Sequence, residues 1–409
     1  MLNKSILQKV YLWTLIFVAV TLPTKWIQLN SFFIIVLFII WLLDGDFVVR
    51  LKKTVSESSF IILTSFFFIS VISLIYTSNL TDGFLGIETK ISLFTFPLFI
   101  LGPKRLEKSE IEIVLISFLA SCVFVSLLCL GDTVYMNYLK GVSYSYSTSW
   151  SYSADNLIEK WGFHPSYFST YCGFCVFITI SLIRRGKVKT VVGIFLIIYL
   201  SLFQMLLASR VGIFASLLVI TFSLIYEAYQ KGKLLKGMIL AFMILIVSLV
   251  SLYNFGTMKD KVNAMLNYKV NMYNEAFKID GRLNQWKASI DIVKKHFVFG
   301  VGIGDRKDEL QKEYVKSEYI QGYKNKYDSH NLFLEAAVTT GIFGLFSLII
   351  LFLFLFIQAI KRRQSLYLQF LILFLMLSMV EASLSVQKGV VFFSFINTIL
   401  FTNSKVNES

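Results

Sequence analysis

Long apolar blocks follow one another along almost the whole chain, separated by short polar clusters. They fall at about 8–24, 29–43, 59–77, 88–102, 110–131, 164–183, 189–208, 211–228, 236–253, 332–358, 366–381 and 388–403. Most approach the roughly 20 residues that a helix needs to cross a hydrocarbon core. The pattern predicts an all-α polytopic membrane protein with about twelve transmembrane helices. One stretch breaks it: residues 254–331 are hydrophilic and lie between the ninth and tenth blocks. Connections this long are seldom mere links, so the chemistry is expected there. Within it, Leu283, Trp286, Ile290, Val293 and Phe297 recur close to one helical face. They predict an amphipathic helix on the membrane or over the bundle. The highly charged stretch near 306–320 predicts a solvated helix. With no internal repeat and no low-complexity linker, 1–409 reads as a single membrane domain.

Charge sets the orientation. Arg50/Lys52/Lys53, Lys104/Arg105/Lys108, Arg184/Arg185/Lys187/Lys189, Lys231/Lys233/Lys236 and Lys361/Arg362/Arg363 fall in alternate loops. The positive-inside rule makes that side, and both termini, cytoplasmic. The short opposite loops carry one cation each: Lys25, Lys90, Arg210 and Lys388. Residues 132–163 and 254–331 then lie outside. A net charge of +14 would suit nucleic acid, but its distribution is that of topology. With 56% hydrophobic and 16% charged residues and a mean hydropathy of +0.69, a soluble domain is excluded.

Lys4 and Lys9 precede an apolar run, as in a signal peptide, but no small-residue cleavage site follows, so a retained first span is expected. Cys122, Cys129, Cys172 and Cys175 all sit in apolar runs, which argues against a disulfide framework. Cys172-Gly-Phe-Cys175 has redox-motif spacing, but inside a membrane helix it reads as packing. The aromatic and hydroxyl run at 144–152 suits an interfacial belt or sugar stacking.

Several polar residues invite a functional reading beside a plain one. Arg210 follows Ser209 in a tight outer connection. It is either a snorkelling arginine or a clamp whose guanidinium fork matches phosphate oxygens. Arg282 opens the amphipathic helix, where a cation opposes the helix dipole. Such a residue is either an ordinary surface arginine or one kept for function. His330, in Asp328-Ser329-His330-Asn331, sits at the outer end of a span. Imidazole takes a proton near neutral pH, and Asp328 or Asn331 is placed to orient it; the plain reading is an interfacial histidine. His164, in Phe163-His164-Pro165, is a second candidate of the same kind, and His296 reads as a helix-end residue. Gly300-Val-Gly302-Ile-Gly304 has no βαβ unit around it, so a nucleotide loop is rejected in favour of a flexible turn. Gly341 and Gly344 let a helix approach a neighbour closely. No His/Cys/Asp cluster has ligand spacing, so neither metal nor cofactor is expected.

Taken in order, Ser209-Arg210-Val211-Gly212, Gly281-Arg282-Leu283-Asn284-Gln285-Trp286, Gly300-Val301-Gly302-Ile303-Gly304 and His330-Asn331 with Gly341-Ile342-Phe343-Gly344 resemble the O-antigen ligase family, which includes O-antigen polymerases. The resemblance is strongest over 195–350, and the layout with its outer loop extends it to the whole chain. It implies a glycosyltransferase-C-like fold in the bacterial inner membrane. The donor it implies is a glycan on undecaprenyl diphosphate, and the acceptor is a hydroxyl on lipid A core, another glycan or a protein. Arg210 and Arg282 match the arginines that engage the diphosphate, and His330 matches the histidine at the reacting centre. Trp286, Asn331 and His164 complete the expected substrate-binding set. Metal-independent, inverting transfer at the periplasmic face follows, by a ligase or by a polymerase. A non-catalytic polysaccharide flippase would instead need ionisable residues deep in the spans, and the sequence shows the spans nearly free of charge.

Overall fold

The computed structural model describes residues 4–45, 47–102, 106–139, 157–207, 209–230, 232–239, 242–243, 246 and 281–405. Among them every regular element is helical. The run at 144–152, most of the ninth predicted span and the first part of the long outer loop lie outside the described residues.

The bundle is built from α1 (Lys4–Thr21), α2 (Ile27–Leu43), α3 (Phe47–Val55), α4 (Ser58–Ile72), α5 (Leu80–Lys90), α6 (Ser92–Leu101), α7 (Lys108–Leu139), α8 (Pro165–Arg184), α9 (Thr190–Leu206) and α10 (Arg210–Gln230). An outer layer follows: α11 (Gly281–Lys295), α12 (Arg306–Lys316) and α13 (Ile320–Asn325). The chain then returns through α14 (Leu332–Lys361), α15 (Ser365–Ser378) and α16 (Gln387–Lys405). Among the described residues, five helical stretches are long and apolar enough to cross a membrane: Ser58–Ile75, Leu80–Leu101, Lys108–Met136, Pro165–Arg184 and Leu332–Lys361. The bent pair α2–α3 makes a sixth if taken as one span, and α1, α9, α10 and α15 supply shorter apolar helices.

The bundle is centred on α8. From Pro165 to Thr179 every residue is buried, and its rings stack with those of α7, α15 and α16: Phe118, Tyr171, Phe174, Phe370 and Phe392 form one aromatic cluster. Tyr171 lies 4.2 Å from Phe392, centroid to centroid. Polar side chains pin the register where apolar packing alone is non-directional. The Gln204 amide of α9 donates to the Ser169 carbonyl of α8 (2.7 Å) and to Ser216 Oγ of α10 (3.1 Å). α1 packs against α2 and α7 with Leu15, Val18 and Ala19 fully buried. All four cysteines are free and buried.

Three expectations need correcting. The fourth span starts at Leu80 rather than near 88, because α5 and α6 together form it and break only at Ile91. Lys90 is therefore not a loop cation. It is buried, with its ammonium 5.3 Å from the centre of the Phe66 ring. Lys388, also counted as a loop cation, is buried in the first turn of α16. It donates to the Thr24 carbonyl (3.2 Å) and lies over the Phe163 ring. With Glu335 buried in α14, the helices are less free of charge than hydropathy suggested.

The third correction concerns the glycine-rich turn at 300–304, which is docked rather than flexible. α14 is kinked at Thr340 and Gly341, whose φ/ψ are −130/15 and 62/−150. The kink exposes the Val338 and Thr339 carbonyls. They accept from the amides of Val301 (2.8 Å) and Gly302 (2.9 Å), while the Ile342 amide donates to the Phe297 carbonyl (3.0 Å). On its other side the turn meets the segment before α5. Gly304 N donates to Thr77 Oγ1, and the Asp305 carboxylate accepts from the amides of Ser78 and Asn79. A buried backbone group needs a partner, and each strand of this junction supplies the other's. Gly341 serves a docked turn rather than a neighbouring helix. A Cβ there would sit 2.2 Å from the Val298 carbonyl oxygen, at a positive φ. Gly341→Ala is expected to cost more than about 2 kcal/mol, read as a lowered unfolding midpoint in detergent. An unchanged midpoint would mean the junction does not hold the outer layer.

Candidate functional site

The outer layer has its own small core. Ala288 and Ile292 of α11, Leu310 and Tyr314 of α12, Tyr319, Val301 and Val338 of α14 are buried together. The buried face of α11 is thus Gln285, Ala288, Ser289 and Ile292. Of the apolar stripe read from the sequence, Leu283, Ile290 and Phe297 are exposed. Small side chains let α11 settle closely on α12 and α14, and the large apolar ones are left outward, where a bilayer interface would cover them.

This core fixes the turn that carries His330. The Tyr314 hydroxyl donates to the Asp328 carbonyl (3.3 Å). Asp328 Oδ1 accepts from the His330 amide (2.9 Å). The Ser329 amide donates to Glu335 Oε2 (3.2 Å), and Glu335 pairs with buried Arg306. Asn331 caps α14: its Oδ1 accepts from the amides of Phe333 (2.9 Å) and Leu334 (3.1 Å), and its Nδ2 donates to the Met379 carbonyl (2.9 Å). Clamped from both sides, His330 holds a left-handed φ of 40°, a conformation that a non-glycine residue adopts only when its surroundings over-determine it.

The His330 ring meets a carboxylate the sequence reading had not singled out. Nδ1 lies 3.1 Å from Glu381 Oε2, in the connection between α15 and α16. The other oxygen of Glu381 accepts from Arg282 Nη2 at 3.1 Å. His164 Nδ1 is 3.7 Å from that same oxygen, at the N-terminus of α8, where it also accepts from the Ser166 amide (3.4 Å). Trp286 Nε1 donates to the His330 carbonyl (3.3 Å). Three segments distant in sequence thus converge on one carboxylate that is 4% exposed. Glu381 is the only acidic residue between Glu335 and Glu408. A lone acid in so apolar a stretch is the signal that could have found it.

The electrostatics are mutual. Burial disfavours a charge on His330, but the hydrogen bond to Glu381 and the charge of Asp328 outweigh it and raise its pKa above the ordinary value. Burial pushes Glu381 up, but the His330 hydrogen bond and the nearby His164 and Arg282 hold it below the usual carboxylate range. Burial, with Glu335 beside it, raises Asp328. The second imidazole nitrogen, Nε2, is 3.8 Å from Asp328 Oδ1, too far for a hydrogen bond. A Glu381 carboxylate on Nδ1 selects the tautomer with its proton there, which leaves Nε2 as the proton acceptor.

Arg210 begins α10 and is exposed. Ser209 Oγ accepts from the Gly212 amide (3.3 Å), and Gly212 lies flush against Ser169, little more than one turn beyond His164 on α8. Arg210 therefore stands at the same end of the bundle as the Glu381 cluster. Of the expected set, Arg282, His330 and His164 meet the Glu381 carboxylate, Trp286 bonds the His330 backbone, and Asn331 acts as a helix cap beside it. His296 follows the last turn of α11, its amide donating to the Ile292 carbonyl (3.0 Å).

No curated protein matches the chain. Residues 194–349 match the family model described as O-antigen ligase. That stretch holds Arg210, Arg282, Trp286 and His330, while His164 and Glu381 lie outside it.

Proposed function

From the O-antigen ligase family domain at residues 194–349, we propose that the chain transfers a glycan from undecaprenyl diphosphate to an acceptor hydroxyl. The acceptor is a lipid A core sugar, and the reaction takes place at the periplasmic face of the bacterial inner membrane. The observation that carries this reading is the convergence of Arg282 and His330 on buried Glu381. It supplies a guanidinium and an oriented base at one point, with Arg210 at the same end of the bundle.

In the proposed step, the acceptor oxygen attacks the anomeric carbon as its proton passes to His330 Nε2. The bond from that carbon to the phosphate oxygen breaks, and undecaprenyl diphosphate leaves with the electron pair. Arg282 and Arg210 stabilise the charge that grows on the leaving diphosphate, the part a metal ion plays elsewhere. A single displacement inverts the anomeric centre. Glu381 holds the imidazole tautomer and stabilises its protonated form. Under this reading the twelve-span, glycosyltransferase-C-like layout has both termini in the cytoplasm, and α11–α13 form a roof over the lipid-linked donor.

The test uses the full chain reconstituted with a lipid-linked glycan donor and a lipid A core acceptor. Wild type should form the ligated product, and His330→Ala should lose it by at least about 10²-fold while staying folded. Equal activity of the two proteins would refute the assigned base. A deletion strain adds the choice of acceptor: long chains accumulating on the carrier lipid with a bare core mean ligase. A core bearing one repeat unit means polymerase, which needs the same donor and the same site.

A further inference from the structure

The helices that carry the Glu381 cluster at one end enclose a cavity at the other. α8 spans 20 residues, or about 30 Å, from His164 to Arg184. A cavity of about 350 Å³ opens there between α7, α8, α15 and α16. Five cations line it, Lys108, Arg184, Arg185, Arg362 and Arg363, against one carboxylate, Glu112. Glu112 is already engaged by Arg185 (3.1 Å) and Lys187 (3.8 Å). The wall also holds buried polar atoms without a hydrogen-bond partner among the described residues: both terminal atoms of the Gln364 amide and Asn403 Oδ1. Buried groups of this kind are normally satisfied, so a ligand with oxygens for the Gln364 NH₂ fits the site better than water-free space does.

The backbone adds an independent sign. α14 ends in a Schellman-type cap, with the Arg363 amide on the Ile360 carbonyl and the Gln364 amide on the Ala359 carbonyl. The left-handed position of that cap usually belongs to glycine. α8 ends beside it in the same motif with Gly186 there, at φ 67°. α14 places Arg363 there instead, at φ 51°, accepting local strain to put a guanidinium at the cavity. The lining also includes apolar side chains, Ile111, Leu115, Ile178 and Leu400 among them, beside the polar Ser181, Ser365 and Gln369. Cations beside hydroxyls, amides and aliphatic side chains between helix ends suit an amphiphile with a polar headgroup better than a free ion.

We infer that this cavity binds a phosphate-bearing anion, the headgroup of an anionic phospholipid drawn from the adjoining leaflet. Arginine forks match phosphate oxygens, and the helix ends receive the upper acyl chains. The inference is independent of glycan transfer.

The experiment uses the purified full chain in neutral detergent with phosphatidylcholine. Phosphatidylglycerol is titrated in, with bound lipid counted by native mass spectrometry and the unfolding midpoint followed in parallel. Wild type is compared with a double variant that combines Arg363→Gly, which relieves the cap, with Arg185→Gln. Phosphatidylglycerol should raise the wild-type midpoint and remain as a bound adduct. The double variant should fold normally yet bind on the order of 10–30-fold more weakly. Equal shifts from phosphatidylcholine and phosphatidylglycerol would overturn the site. So would wild-type binding by the double variant. Inorganic phosphate reproducing the full shift in phosphatidylcholine alone would assign the anion to solution and overturn the lipid headgroup.

Discussion

Glu381→Gln is expected to lower glycan transfer by roughly 10²–10⁴-fold, the range seen when a carboxylate that orients a base histidine becomes an amide. The amide keeps the size of the side chain, so the variant should insert and fold. It presents an NH₂ or a neutral oxygen to His330 Nδ1, where the carboxylate lies 3.1 Å away, and the tautomer is no longer enforced. The pH profile separates this from a purely structural effect. A histidine base works deprotonated, so kcat/KM rises with pH through its pKa. Burial and Arg282 act to lower that pKa, and Glu381 and Asp328 more than offset them. Without the Glu381 carboxylate the lowering influences remain, so the rising limb moves to more acidic pH while the plateau falls. A limb that stays where it is in wild type would remove His330 as the titrating group. An undiminished plateau would remove Glu381 as its orienter.

Arg282→Ala is expected to lower kcat by about 10²–10³-fold, as loss of one preorganised donor to a developing anion does elsewhere, and to raise KM for the lipid-linked donor. The guanidinium is part-buried and its direction is set by the 3.1 Å contact with Glu381. In the proposed reaction it would therefore meet the diphosphate without reorganising. Arg282→Lys keeps the charge but loses the fork, so it should recover only part of the loss, chiefly in KM. Steady-state kinetics of the three proteins in one lipid composition decide the matter. Full activity in the lysine variant would show that a point charge suffices, and an effect of alanine on KM alone would confine Arg282 to donor binding.

Much of this was legible in the sequence because apolar length and charge alternation are local signals. Most described helices lie where hydropathy places them, the fourth span beginning early at Leu80, and α11 and α12 fall where their patterns predict. The grouping of Arg282 with His330 came from motif order rather than from periodicity. Glu381 escaped notice because its meaning is purely tertiary: it lies about 50 residues from His330 and about 100 from Arg282, and nothing beside it in sequence is charged. Which side of α11 meets protein was not legible for a related reason. Periodicity locates an apolar stripe but does not say whether protein or lipid will cover it. Here the small side chains Ala288 and Ser289 took the protein contact. Lys90 and Lys388 passed for loop cations because a window average cannot distinguish a lysine at a span's edge from one folded back onto an aromatic ring, as both are.

The break at Gly341 has a mechanical meaning. α14 is two struts sharing a joint rather than one rod. The upper strut, residues 332–340, starts at the cap beside His330 and is moored by hydrogen bonds to the 300–304 turn, which is itself moored to the segment before α5. The lower strut, residues 342–361, packs along α4 and α15. Tilting of the lower strut, such as a bilayer of different thickness imposes, meets the joint before it meets His330. The proposed reacting centre therefore takes its reference frame from the outer layer, and the longer lower strut of α14 serves as its foundation.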